Sequence, residues 1–209
     1  MGRDKSQLVW GAVNFLAHAI SRMQQVCDRV FVVGEKAEAG VPLLKDIFGG
    51  SGPLAGIHTA LQHTGSKWNL VLAVDMPLVS AALLNFIASH CDRSSFAIIP
   101  KTATFRVSAK KGLEGGHNRR SPALQPLCAA YHREFLPTIE RALSNRELSI
   151  RRLLEEAAQG MMNEPPQAIR FIDEQELSAA GFSPEMLMNV NTPSDLERAR
   201  ALARDLDVK

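Results

Sequence analysis

The sequence predicts an α/β protein of the Rossmann-like, doubly wound type, in which residues 1–209 form one domain around a mostly parallel sheet with helices on both faces. Three observations predict it. Short β-branched runs alternate with segments of helical period, the rhythm of repeated strand–helix–strand units. The apolar residues within each run stand together instead of alternating with polar ones, as in strands buried on both faces. Finally, 209 residues with 45% apolar and 22% charged side chains suffice for one packed core and exclude disorder as the general state.

The elements follow in order. Val9, Val13, Leu16, Ile20 and Met23 recur at helical spacing and predict an opening helix. The run RVFVVG (29–34) reads as the first strand. GGSGPLAGIHTAL (49–61) is a glycine-rich turn entering a helix, with Gly52 before it and Pro53 at the first helical position. NLVLAVD (69–75) is the next strand, and Ser80 is placed to cap a helix bearing Leu83, Leu84, Ile87 and Ala88. SFAIIP (95–100), LCAAY (127–131) and AIRFID (168–173) complete the predicted strands. Thr192, Pro193 and Asp195 form a capping-box arrangement ahead of a last helix with Leu196, Ala199 and Leu202. One stretch breaks the rhythm. Residues 101–120 carry Gly112, Gly115 and Gly116 and six basic side chains against the single Glu114, and so predict a mobile loop leaving the sheet. A doubly wound sheet usually opens on a strand whose end carries a phosphate-binding turn, so an opening helix implies an element missing in front.

Charge and cysteine content narrow the function classes. Lys and Arg (24) nearly balance Asp and Glu (22), so the concentrated basic face of a nucleic-acid binder is not expected, while small anionic substrates remain compatible. No apolar run reaches the ~18 residues of a membrane span. MGRDK offers no hydrophobic segment of a secretion signal, which predicts a cytoplasmic chain. Cys27, Cys91 and Cys128 are odd in number and widely separated, and read as buried apolar thiols, not as a disulfide framework or zinc site.

Three places carry candidate chemistry. Asp75 follows an apolar strand directly, so its carboxylate emerges at the strand's carboxyl end. There it either holds a hard cation such as Mg²⁺, which needs only one or two carboxylates beside substrate phosphates, or caps a strand-to-loop turn. The glycine-rich turn at 49–52 presents free N–H groups at a helix start, suited to an anion or the polar edge of a base, or else is simply a tight turn. Asn189 and Asn191 occupy alternate positions before the last helix, so both amides face one way and can bind a ligand.

Taken in chain order, MGRDK, GPLAGI, DMPLV, QPLCAAY and NVNTPSDL resemble the successive motifs of the molybdenum cofactor guanylyltransferases, the MobA-type nucleotidyltransferases, from Met1 to about Arg200. GPLAG followed by a strand ending in D-x-P is more similar to the guanylyl-transferring branch than to the cytidylyl-transferring relatives. The resemblance implies GTP and Mg²⁺ as cosubstrates and a molybdopterin-type cofactor as acceptor. The acceptor's terminal phosphate would attack the α-phosphate and release pyrophosphate. It implies that Lys5 neutralises nucleotide phosphates, that Asp75 binds the metal, and that Asp46 helps hold the nucleotide. Gly52, Pro53, Leu54 and Gly56 would wall the base pocket, with Asn189 and Asn191 on the acceptor side.

Two departures from the family pattern stand out. Only the tail of a glycine-rich signature survives, as Met1 to Lys5, so the resemblance implies that the first strand and its phosphate-cradling loop are lacking. Gly34 and Glu35 stand where an asparagine is common. The competing expectations are transfer of another nucleotidyl group, such as CMP, to a related phosphorylated acceptor, and a non-catalytic remnant that kept the fold.

Overall fold

Local signals set the helix starts. The computed structural model describes residues 8–38, 40–103, 122–159 and 168–206. Val9–Trp10 (β1) and Val13–Asn14 (β2) form an antiparallel hairpin, and Asn14 then caps the helix Phe15–Gln24 (α1) by accepting from the Ala17 N–H at 2.8 Å. The helix expected from Val9 onward therefore begins only at Phe15. Gly11 turns the hairpin at φ +61°, which favours glycine, and Val9 and Val13, placed on the predicted apolar stripe, are exposed. Val32–Val33 (β3) pairs in parallel with Leu43–Leu44 (β4), so only two residues of the predicted 29–34 strand are in a ladder.

The helix Gly52–His63 (α2) leads to the strand Trp68–Leu72 (β5), and Ser80 caps the helix Ala81–Ser89 (α3) through its hydroxyl, 3.1 Å from the Leu83 N–H. The larger sheet adds Ala97–Ala103 (β6), Pro122–Leu124 (β7), Cys128–His132 (β8) and Ile169–Ile172 (β9). Its order is β5-β8-β6-β7, with β9 also paired to β6. Leu136–Ser144 (α4) and Ile150–Gln159 (α5) separate β8 from β9. Glu174–Ala179 (α6) and Pro193–Asp205 (α7) follow, the latter with the predicted Thr192–Asp195 capping box complete.

The α/β class and the placement of helices on both faces are as expected, but the pairing corrects the mostly parallel sheet. β8 runs antiparallel to both β5 and β6, and β7 antiparallel to β6, while β6–β9 and β3–β4 are parallel. β5, β6 and β9 thus share one direction, and β8 is inserted against it. The reason lies in β8 itself. Ala129 and Tyr131 face the cluster of α2, α4 and α5, whereas Cys128 and Ala130 face that of α3 and α6. Burial on both faces yields a continuous apolar run in either strand direction, so the run alone carries no sign. Lys101–Ala103 likewise belong to β6 and not to the predicted loop; 104–120 lie outside the described residues. Cys128 is buried, but Cys27 and Cys91 are only partly so.

Candidate active site

β5 ends at Leu72, and Ala73 makes one further bond toward β8, its N–H meeting the Leu127 carbonyl at 2.7 Å. Two turns follow, closed by Met76 N–H to the Ala73 carbonyl and Val79 N–H to the Met76 carbonyl, both 3.3 Å. Asp75 sits in the first of them, half-buried, at the carboxyl end of β5 as predicted. A segment 114 positions away clasps it. The Val190 N–H donates to the Asp75 carbonyl at 2.7 Å, and the Asn189 side-chain amide donates to the Asp75 carboxylate at 3.1 Å. Leu78 and Val190, fully buried, pack with Trp10, Phe15 and Ala199 beneath the junction.

A third element reaches the same turn. Buried His18 on α1 stands with Nε2 3.0 Å from the Pro77 carbonyl, an arrangement satisfied when Nε2 carries the proton and donates. Burial holds its pKa below the ordinary imidazole value, against the opposing pull of the Pro77 bond, with Arg22 adding to the depression. A lone histidine inside a helical pattern gives no signal in sequence, and His18 was not among the predicted residues. By contrast Cys91 is pushed up to about 11 and Cys128 to about 12, chiefly by burial, which keeps both thiols protonated and inert.

The glycine turn is built differently. Gly50 and Gly52 take φ of +83° and +68°, a left-handed backbone that side-chain-bearing residues adopt only at a cost. Ser51 makes no side-chain cap bond and the first turn of α2 holds no acid, so this helix start is free of an internal anion. Asp46 ties the turn to its helix: its carboxylate accepts from the Phe48 N–H at 3.1 Å and from the Thr59 hydroxyl at 3.4 Å.

Pro53 and Gly56 line a cavity of about 580 Å³ together with Ala73 and Val74, so the start of α2 and the residues just before Asp75 share one wall. Leu54 differs from its expected place in a base pocket. Its side chain is completely buried in the cluster of Ile57, Leu61 and Tyr131, because that position of α2 faces the sheet. Asn191 is exposed, and its backbone N–H donates to the Asp195 carboxylate at 2.9 Å. The two asparagines therefore part company, with Asn189 on Asp75 and Asn191 at the helix cap. Lys5 lies outside the described residues. Among the described residues no group of three or more His, Cys, Asp or Glu is positioned to cage a metal. A single carboxylate with a neighbouring amide fits a hard cation that completes its shell with phosphate oxygens and water. No helix among them is long and apolar enough to cross a membrane.

A strand-end carboxylate and a glycine turn that opens a helix, on a mixed α/β sheet, are elements that in general suit a phosphorylated ligand. Comparison with known proteins narrows the class. The family model described as "MobA-like NTP transferase domain" matches residues 1–161, and the chain belongs to that family of nucleotidyltransferases. A relative from Carboxydothermus hydrogenoformans, named "Probable molybdenum cofactor guanylyltransferase", is 26% identical over 201 residues, covering 95% of this chain and 87% of its own. Among solved structures, molybdopterin-guanine dinucleotide biosynthesis protein A from Archaeoglobus fulgidus superposes with a TM-score of 0.69 at 22% identity, over 98% of this chain and 92% of that one. The 2-C-methyl-D-erythritol 4-phosphate cytidylyltransferase from Thermus thermophilus shares the fold at a TM-score of 0.66 and 17% identity, over 96% and 94%.

Proposed function

We propose that this chain transfers GMP from GTP to the terminal phosphate of a molybdopterin-type cofactor. In this reaction an acceptor phosphate oxygen forms a bond to the α-phosphorus, the bond from that phosphorus to the β-phosphate bridge breaks, and pyrophosphate leaves. The observation that carries the reading is the clasp on Asp75: a carboxylate at a strand end, oriented by Asn189 and fixed through its own backbone by Val190. Relatives named for this guanylyl transfer align over almost the whole chain and add support.

Such a transfer needs little covalent help, because an ionised phosphate is already a nucleophile near neutral pH; positioning and charge cancellation supply most of the rate. The start of α2, with Gly52, Pro53 and Gly56, would receive the polar edge of the base or a phosphate, and Leu54 would serve only by packing its helix. Asp46 would hold the preceding turn in register for the nucleotide. Asn189, Asn191 and Lys5 would meet acceptor or nucleotide phosphates. Asp75 would hold Mg²⁺, whose chemistry when bound is to neutralise charge gathering on the phosphate oxygens.

Incubating the chain with α-phosphate-labelled GTP, molybdopterin and Mg²⁺ tests this. Label moving to the acceptor with release of pyrophosphate is expected, and label moving instead from CTP, or no transfer beyond the no-enzyme control, overturns it.

A further inference from the structure

A second cavity, of about 480 Å³, lies between the β1–β2 hairpin and α7. Residues 10–13 of the hairpin, His18 of α1, and Arg200, Ala203 and Arg204 of α7 line it. None of these residues lines the larger cavity, and neither Asp75 nor the glycine turn lines this one. Its size is ordinary for a small-molecule site, and its lining is apolar with a few polar groups.

Those polar groups are mostly donors. Arg200 and Arg204 stand one helical turn apart on α7, so two like charges sit side by side at a cost to the helix. Among the described residues no carboxylate lines the cavity to offset them. Arg200 is held in place, its Nη2 donating to the Val9 carbonyl at 3.1 Å, which leaves the other N–H groups of the guanidinium to spare. Trp10 is only 8% exposed, and among the described residues its indole N–H has no hydrogen-bond partner. A tryptophan so deeply placed usually satisfies that group, and the cavity it lines is where a partner can come from. His18 adds an acceptor: with Nε2 donating to the Pro77 carbonyl, Nδ1 keeps its lone pair.

We infer that this cavity is a second ligand site, for a small organic phosphate carried on a flat apolar body. Three donor side chains, Arg200, Arg204 and Trp10, match the three terminal oxygens of a phosphate monoester, and its charge close to −2 cancels both guanidinium charges at once. The Trp10 ring with Ala12, Val13 and Ala203 gives the body an apolar seat, and His18 Nδ1 offers a place for one hydroxyl or amine on it. Because the site uses neither Asp75 nor the start of α2, it stands apart from the proposed transfer.

NMR observation of the two indole N–H signals, with phenyl phosphate as the probe, tests this. Trp68, which lines the larger cavity, serves as the internal control. The Trp10 signal is expected to move saturably, with one equivalent bound, while that of Trp68 stays still. Arg204→Gln, at an exposed position, should weaken the apparent affinity roughly tenfold, and the affinity should not depend on added Mg²⁺. Benzyl alcohol keeps the ring without the charge and inorganic phosphate keeps the charge without the ring, so each should bind at least about tenfold more weakly. No saturable movement of Trp10, equal movement of Trp68, full affinity in Arg204→Gln, or tighter binding of benzoate than of phenyl phosphate overturns the inference. So does binding that requires Mg²⁺, which would return the anion to the transfer site.

Discussion

The turn after β5 and the turn before α2 flank residues that line one cavity, Ala73 and Val74 on one side and Pro53 and Gly56 on the other, and the two turns are held in opposite ways. Residues 73–80 are pinned from three directions by partners distant in sequence: His18 at Pro77, Val190 at the Asp75 backbone and Asn189 at the Asp75 side chain. Residues 46–52 rely on neighbours. Asp46 bonds to Phe48, Ser51 to the Phe48 carbonyl at 3.0 Å, and Thr59 of the following helix to the Ile47 N–H at 3.2 Å, while Ile47 and Phe48 lie exposed. The difference teaches a division of labour. On the proposed reading, the group that would meet a phosphate at a fixed point is fastened by the tertiary fold, and the turn leading into α2 is fastened only to its own helix.

The comparison is sharpened first at the root of the second turn. Leu54 is fully buried in the core, so Leu54→Ala should destabilise the protein by about 2–5 kcal/mol, read by denaturant unfolding. A loss below that range, with weakened nucleotide binding instead, would return Leu54 to the pocket wall.

His18→Ala leaves the buried Pro77 carbonyl unpaired and should cost about 1–3 kcal/mol. Its pH signature is distinct. Because burial lowers the folded pKa of His18 beneath the unfolded value near 6.5, the unfolded chain takes up the proton first on acidification. Stability from this group is therefore complete above 6.5 and is lost as pH falls from 6.5 toward the folded value. Unfolding midpoints measured across that window should fall in the wild type and fall less steeply in His18→Ala; parallel curves would remove His18 as the anchor.

Smaller effects belong to the glycine turn. Gly52→Ala forces a β-carbon into φ +68° and should cost roughly 1–2 kcal/mol, although open space surrounds the added atom, so the loss is of backbone origin. Smallest is Asp46→Ala, which removes two local bonds and should cost less than about 1 kcal/mol. Both are read by thermal unfolding. A larger loss for Asp46→Ala than for His18→Ala would invert the comparison.

What the sequence made legible was local. Ser80, Thr192 and Asp195 announce their helices because a cap and its N–H lie three residues apart. The strands read at 69–75, 95–100, 127–131 and 168–173 announce themselves by β-branched or apolar continuity and overlap β5, β6, β8 and β9, whereas Lys101–Ala103 of β6 carry no such signal and the run at 69–75 continues past β5 into a turn. Val9 and Val13 misled because a spacing of four mimics a helix, and only Gly11 between them marks the hairpin. The direction of β8 was invisible, since pairing sense is settled by the path of the chain and not by which faces are buried. Asp75 could be read from its place after an apolar run. That Asn189 would grip it could not, because the contact joins residues 114 apart.

The account rests on Asp75 acting through its charge on a scaffold that does not need that charge. The direct measurement is guanylyl transfer from labelled GTP to molybdopterin by wild type and Asp75→Asn in parallel, with thermal unfolding of both. The substitution keeps shape and an acceptor oxygen for Asn189 while removing the carboxylate, so turnover should fall by on the order of a hundredfold or more with little change in unfolding temperature. Turnover near the wild-type level in a normally folded Asp75→Asn protein would contradict the account.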